Sequence, residues 1–112
     1  MDIHILQEKS KSLAIRINRL SEVLYEQHEF TIPRQLEVCI DNIESNIAEL
    51  KFVDNEDVLK QKLKRAIKKT DEIDYWMKNL QNCHINNEYG SISVDCRELI
   101  NLLTAIVNTL NK

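Results

Sequence analysis

A chain of 112 residues is the length of one domain, and with 43% apolar and 29% charged residues it is too hydrophobic to stay disordered. A single Gly and a single Pro cannot supply the tight turns of a sheet, so helices are expected throughout. The net charge of −3 excludes a general attraction to nucleic acid or to an anionic membrane and leaves only a local patch for such a role.

The longest wholly apolar run is a few residues, too short for a membrane span, and Met1-Asp2-Ile3-His4 lacks the basic start and apolar stretch of an export signal. A cytoplasmic protein with no membrane partner is expected. Cys39, Cys83 and Cys96 are odd in number and share no close spacing, which favours buried free thiols over a disulfide framework.

The first helix is predicted from about Ile3 to His28, because Leu6, Leu13, Ile17, Leu20 and Leu24 recur at helical spacing with Ser10 filling one seam position. Lys9, Lys11, Arg16, Arg19 and Glu22 form its outer face. The second starts near Thr31, a good N-cap, with Pro33 tolerated in the first turn, where its missing N–H is not needed. Leu36, Ile40, Ile43, Ile47 and Leu50 then make an unbroken seam.

The third opens at Val53-Asp54-Asn55-Glu56-Asp57, where Asp54 or Asn55 caps and two acids suit the positive end of the helix dipole. Leu59, Leu63, Ala66, Thr70, Ile73, Met77 and Leu80 carry its seam to about Cys83. In the fourth, Tyr89, Ile92, Cys96, Leu99, Leu103, Ile106 and Leu110 share one face, which favours a start near Asn86 although residues 86–91 have the composition of a turn. Gly90 inside that helix costs about 1 kcal/mol relative to Ala, and Ser91 is the alternative cap.

Short connections make consecutive helices antiparallel. The expected fold is all-α, an antiparallel up-down-up-down four-helix bundle with residues 1–112 as a single domain. Ile100, Leu102 and Val107 widen the apolar stripe of the fourth helix, as Val58, Ile67, Tyr75 and Trp76 do on the third. This surplus either widens the monomer core or meets another subunit, and Tyr75, Trp76, Ile100 and Val107 are the candidate oligomer contacts.

Two segments resemble the 23S ribosomal RNA intervening-sequence protein family. Its second helix ends in a Ser-Ile-x-x-Asn-Ile-Ala-Glu-Gly run, matched here by Ile43, Asn46, Ile47, Ala48 and Glu49, and Gln35 also matches. Its third helix carries an Ala-Leu-x-x-Ala-x-Glu-x-x-Tyr-Trp-like stretch, followed here at Ala66, Glu72, Tyr75 and Trp76. Leu50 replaces the usual Gly, and Glu37 and Val38 replace frequent Arg residues, which weakens any carry-over of RNA contacts. The resemblance implies a left-handed four-helix bundle that assembles into a ring, commonly a pentamer, without enzymatic activity. It also implies relatives encoded inside ribosomal RNA insertions and others acting as accessory proteins of diversity-generating reverse transcriptases.

Lys60, Lys62, Lys64, Arg65, Lys68 and Lys69 form the strongest charge cluster, with no acid between Val58 and Thr70. Lys60, Lys64 and Lys68 make one row that could follow a phosphate backbone, without the interleaved aromatics of single-strand binders. The competing readings are a solvated face, or a surface meeting the acidic Glu37, Asp41 and Glu44 of another subunit. Asn46 and Glu49 with Glu72 are assigned a structural role, an amide and carboxylates that bond across two helices and fix their register.

For acid/base work Asn46, Glu49 and Glu72 lack a neighbouring nucleophile or a pocket-forming loop, so no catalytic residue is assigned. His4, His28 and His84 with the three cysteines lack zinc-ligand spacing, and neither a metal, a cofactor nor a small-molecule substrate is expected. The first reading is therefore a non-enzymatic homo-oligomer offering a surface to a partner. The second is an RNA-associated protein using the basic row.

Overall fold

The computed structural model describes residues 2–80 and 88–111, without the side chains of residues 88 and 89. Within them lie four helices and no strand: α1 (Ile3–Glu26), α2 (Thr31–Glu49), α3 (Glu56–Lys78) and α4 (Glu88–Leu110), with one 3₁₀ turn at Leu50–Phe52. Packing runs α1 on α2, α2 on α3, α3 on α4 and α4 on α1, so α2 and α4 occupy one diagonal. The result is the expected up-down bundle, a rod of 45 × 20 × 19 Å.

Several helix ends have an identifiable cause. Asp2 caps α1 by accepting from the N–H groups of His4 at 3.0 Å and Ile5 at 3.4 Å, a cap the apolar pattern does not reveal. The far end of α1 falls at Glu26, two residues before the His28 expected from the sequence. His28 adopts φ 63°, and the N–H of Glu29 reaches back to Leu24 O at 2.9 Å while that of His28 reaches Tyr25 O at 3.0 Å. That is the left-handed stop glycine usually supplies, here made by a histidine.

Thr31 is the first helical residue of α2 and not its cap. The Glu29 carboxylate takes that role, accepting from the N–H groups of Thr31 at 3.0 Å and Ile32 at 3.1 Å. Asn55, one of the two expected residues, caps α3 through Asp57 and Val58. That helix stops at Lys78 and not near Cys83, because Asn79 and Leu80 close it with shorter backbone bonds to Trp76 and Met77. Cys83 and a start near Asn86 lie outside the described residues. Gly90 and Ser91 are both inside α4, so Ser91 is not its cap.

The core follows the sequence seams. Leu13, Ile17, Leu24, Leu36, Ile43, Leu63, Ile73, Leu99 and Leu103 are wholly buried, each gaining about 1.5–3 kcal/mol from leaving water. Leu59, Ile106 and Leu110, near the ends of their helices, are only half-buried. Polar seam residues are satisfied locally: Thr70 Oγ1 donates to Ala66 O at 2.7 Å and Ser10 Oγ to Gln7 O at 3.1 Å. Ser21 is the exception, since its buried hydroxyl has no partner among the described residues.

Candidate interaction surfaces

The basic cluster on α3 divides into two sets of three. Lys60 turns to Glu56 at 3.7 Å, Lys69 to Glu72 at 3.2 Å, and Lys62 crosses to Glu49 on α2. Their stems lie against the bundle and their charges are already answered. Lys64, Arg65 and Lys68 are exposed and form no ion pair among the described residues. The row is thus half structural and half open.

Tyr75 lies seven residues beyond Lys68 on the same face. It is 60% exposed and held edge-on to Trp76, with ring centroids 5.2 Å apart at 80°. Tyr75, expected with Trp76 at an oligomer contact, thus stands as an aromatic beside a basic row that is expected to lack one. The helical period would have revealed it, although the exposed Asp71 stands between.

The expected bond between Asn46 and Glu72 does not form. Asn46 is buried and its amide donates to Asn42 O at 2.8 Å and Asn42 Oδ1 at 2.7 Å, one turn back on its own helix. Glu72 instead accepts from the Cys39 thiol at 3.5 Å and from Lys69. The two helices are tied by Glu49 with Lys62 and Glu72 with Cys39, because those side chains project into the α2–α3 groove. Ala48 lies on the exposed face of α2.

Cys39 and Cys96 are free and buried. Burial, the Glu72 bond and the Glu72 charge push the Cys39 thiol up to about 11. Burial first, then the charges of Asp74, Asp95, Cys39 and Asp71, pushes Cys96 up to about 12. Both stay protonated at neutral pH and are therefore poor nucleophiles. No group of three or more His, Cys, Asp or Glu side chains among the described residues could hold a metal ion.

A groove of about 200 Å³ between α3 and α4 is lined by Asp71, Asp74, Ser93, Cys96, Arg97 and Ile100, with Ser93 Oγ donating to Asp74 Oδ1 at 3.1 Å. Of the candidate oligomer contacts, Tyr75 is exposed, Trp76 and Ile100 are half-buried, and Val107 is only 6% exposed. Val107 therefore belongs to the core of its own chain, because the α4 seam widens toward its C-terminal end. Exposed apolar side chains outside those candidates are Phe52 at 79%, Val38 at 58% and Val94 at 57%. From Leu99 to Asn111 the chain holds no charged residue, so the outward side of α4 presents Asn101, Thr104, Ala105 and Asn108.

These features define an up-down helical bundle whose distinctive chemistry lies on its outer faces. The model of the 23S rRNA-intervening sequence protein family matches residues 2–105, and the chain belongs to that family. It is similar to a solved protein with unknown function from the S23 ribosomal protein family of Bacteroides thetaiotaomicron VPI-5482. The two share 32% identity over 96% of this chain and 99% of that one, with a TM-score of 0.88. No curated protein matches the chain. No helix among the described residues is long and apolar enough to cross a membrane.

Proposed function

We propose that this chain is a non-catalytic assembly module, a homo-oligomer that offers an outer surface to a partner. The carrying observation is the outward side of α4, where Val94 is exposed and the stretch from Leu99 to Asn111 holds no charge in a chain that is 29% charged. An outer face meant for water is normally dense in Lys and Glu, whereas a face covered by another subunit sheds them. A pentameric ring is the form the family resemblance favours. Light scattering on the purified chain should return a multiple of the single-chain mass at micromolar concentration. A monomer at all accessible concentrations would remove this reading.

A second reading, contact with RNA, is favoured by the three exposed cations Lys64, Arg65 and Lys68, which form no ion pair among the described residues. Single-stranded RNA should then bind with an affinity that drops steeply as salt is added and that is lost in Lys64→Glu combined with Lys68→Glu. Absence of binding at low salt excludes it.

A further inference from the structure

The side of α3 that points away from the core carries an aromatic ring in line with its cations. Lys64, Lys68 and Tyr75 are spaced by four and seven residues, close to one and two whole turns, and all three are exposed, so they share one outward line of the helix. At a rise of about 1.5 Å per residue, Lys68 stands roughly 6 Å beyond Lys64 and Tyr75 roughly 10 Å further on, with Arg65 beside the two lysines. The acids nearest the gap lie to its two sides. Glu72 turns into the α2–α3 groove, where it accepts from Cys39 and Lys69, and Asp71 lines the α3–α4 groove with Arg97.

The ring of Tyr75 is open to solvent yet held in place. It is 60% exposed and stands edge-on to the half-buried Trp76, with centroids 5.2 Å apart. A ring already fixed loses little conformational freedom when a second planar group stacks on it. Cations in line with such a ring match a ligand that alternates negative charge with flat groups. Single-stranded nucleic acid does so, since every base has a π-face, whereas a duplex keeps its bases stacked inside and offers mainly phosphates and groove edges. An acidic peptide would engage the cations and leave the ring unused.

We propose that the outward line of α3 binds single-stranded RNA, with phosphates along Lys64, Arg65 and Lys68 and one unpaired base stacked on Tyr75. This rests on the RNA reading above and names the form of the ligand and the residue that holds a base. The two kinds of contact divide the work: the cations supply the salt-dependent part of the affinity, and Tyr75 supplies a part that salt does not screen.

An oligouridylate of about twelve nucleotides and an abasic oligomer with the same phosphates separate those parts. Tyr75→Ala should weaken oligouridylate binding roughly tenfold, leaving its salt dependence and the binding of the abasic oligomer unchanged, while Tyr75→Phe keeps full affinity. Lys64→Gln and Lys68→Gln should each weaken both probes alike and make the slope of log affinity against log salt shallower by about one. Trp76, the single Trp of the chain, should lose emission when oligouridylate binds and keep it with the abasic oligomer.

No binding of oligouridylate at low salt removes the RNA reading itself. Equal affinity for the two probes, an oligouridylate affinity unmoved by Tyr75→Ala, or equally tight binding of a duplex RNA of the same length leaves that reading standing and overturns the stacked base. An assembly mass that changes in Tyr75→Ala would put the ring between subunits and overturn it as well, as would oligoglutamate of equal charge binding as tightly as oligouridylate. Because Tyr75 is exposed, Tyr75→Ala should keep the helix content and urea midpoint of the parent chain, which separates a lost stack from a lost fold.

Discussion

Between Lys60 and Lys69 the third helix carries six cations, whereas from Leu99 to Asn111 the fourth carries no charge of either sign. Their inner sides are nearly interchangeable: Leu63 and Ile73 on α3, and Leu99 and Leu103 on α4, are all wholly buried. Burial thus constrains the inner half of each helix alike and leaves the outer half to be either solvated or covered. The basic side of α3 is suited to water or to an anion. The uncharged side of α4 is suited to another protein surface, and the difference between the two helices is a difference of destination, not of folding.

That equivalence inside is the first thing to break. Leu63→Ala on α3 and Leu103→Ala on α4 should each cost about 2–5 kcal/mol in urea denaturation, since each removes a side chain with no exposure and leaves a cavity. A loss below 1 kcal/mol at only one of them would show that the two seams are not equally packed.

The buried thiols supply a pH test spanning the diagonal. Unfolded, each ionises near its ordinary 9.0; folded, Cys39 is held to about 11 and Cys96 to about 12. The folded chain therefore keeps protons that the unfolded chain loses above pH 9, and stability should fall as pH rises from there toward 11–12. The loss should reach roughly 1 kcal/mol per thiol by pH 10 and fall by about half in Cys39→Ala, where Cys96 alone remains. Stability that does not change between pH 8 and 10 would contradict the burial of both groups.

Ser21→Ala should stabilise by about 1 kcal/mol, because it removes a buried hydroxyl that has no partner among the described residues. The smallest effect belongs to the outer face of α3. Lys64→Ala with Lys68→Ala should leave stability within about 0.5 kcal/mol, while abolishing any anion binding there. A larger stability loss would mean that these cations answer a charge of the bundle after all.

Much of the fold was legible in advance because each helix keeps its apolar side chains on one stripe, and a stripe that must leave water needs three others. Helix ends were less legible. Glu29 and His28 act through backbone geometry: a carboxylate reaching forward to α2 and a non-glycine residue in the left-handed region both lie outside the usual residue preferences.

The basic cluster could be counted in the sequence, but not divided. Whether Lys62 or Lys64 is free depends on Glu49, thirteen residues from Lys62 and on another helix.

From composition and periodicity alone follow the four rods, their antiparallel order and most of the residues of their core, because hydrophobic burial at a fixed helical spacing depends largely on local sequence. The pairing of Glu72 with Cys39 in place of Asn46, and the separation of three tethered cations from three that form no ion pair among the described residues, were decided by tertiary structure. Each depends on how far one helix is shifted along its neighbour, and that shift is set by packing across the whole bundle.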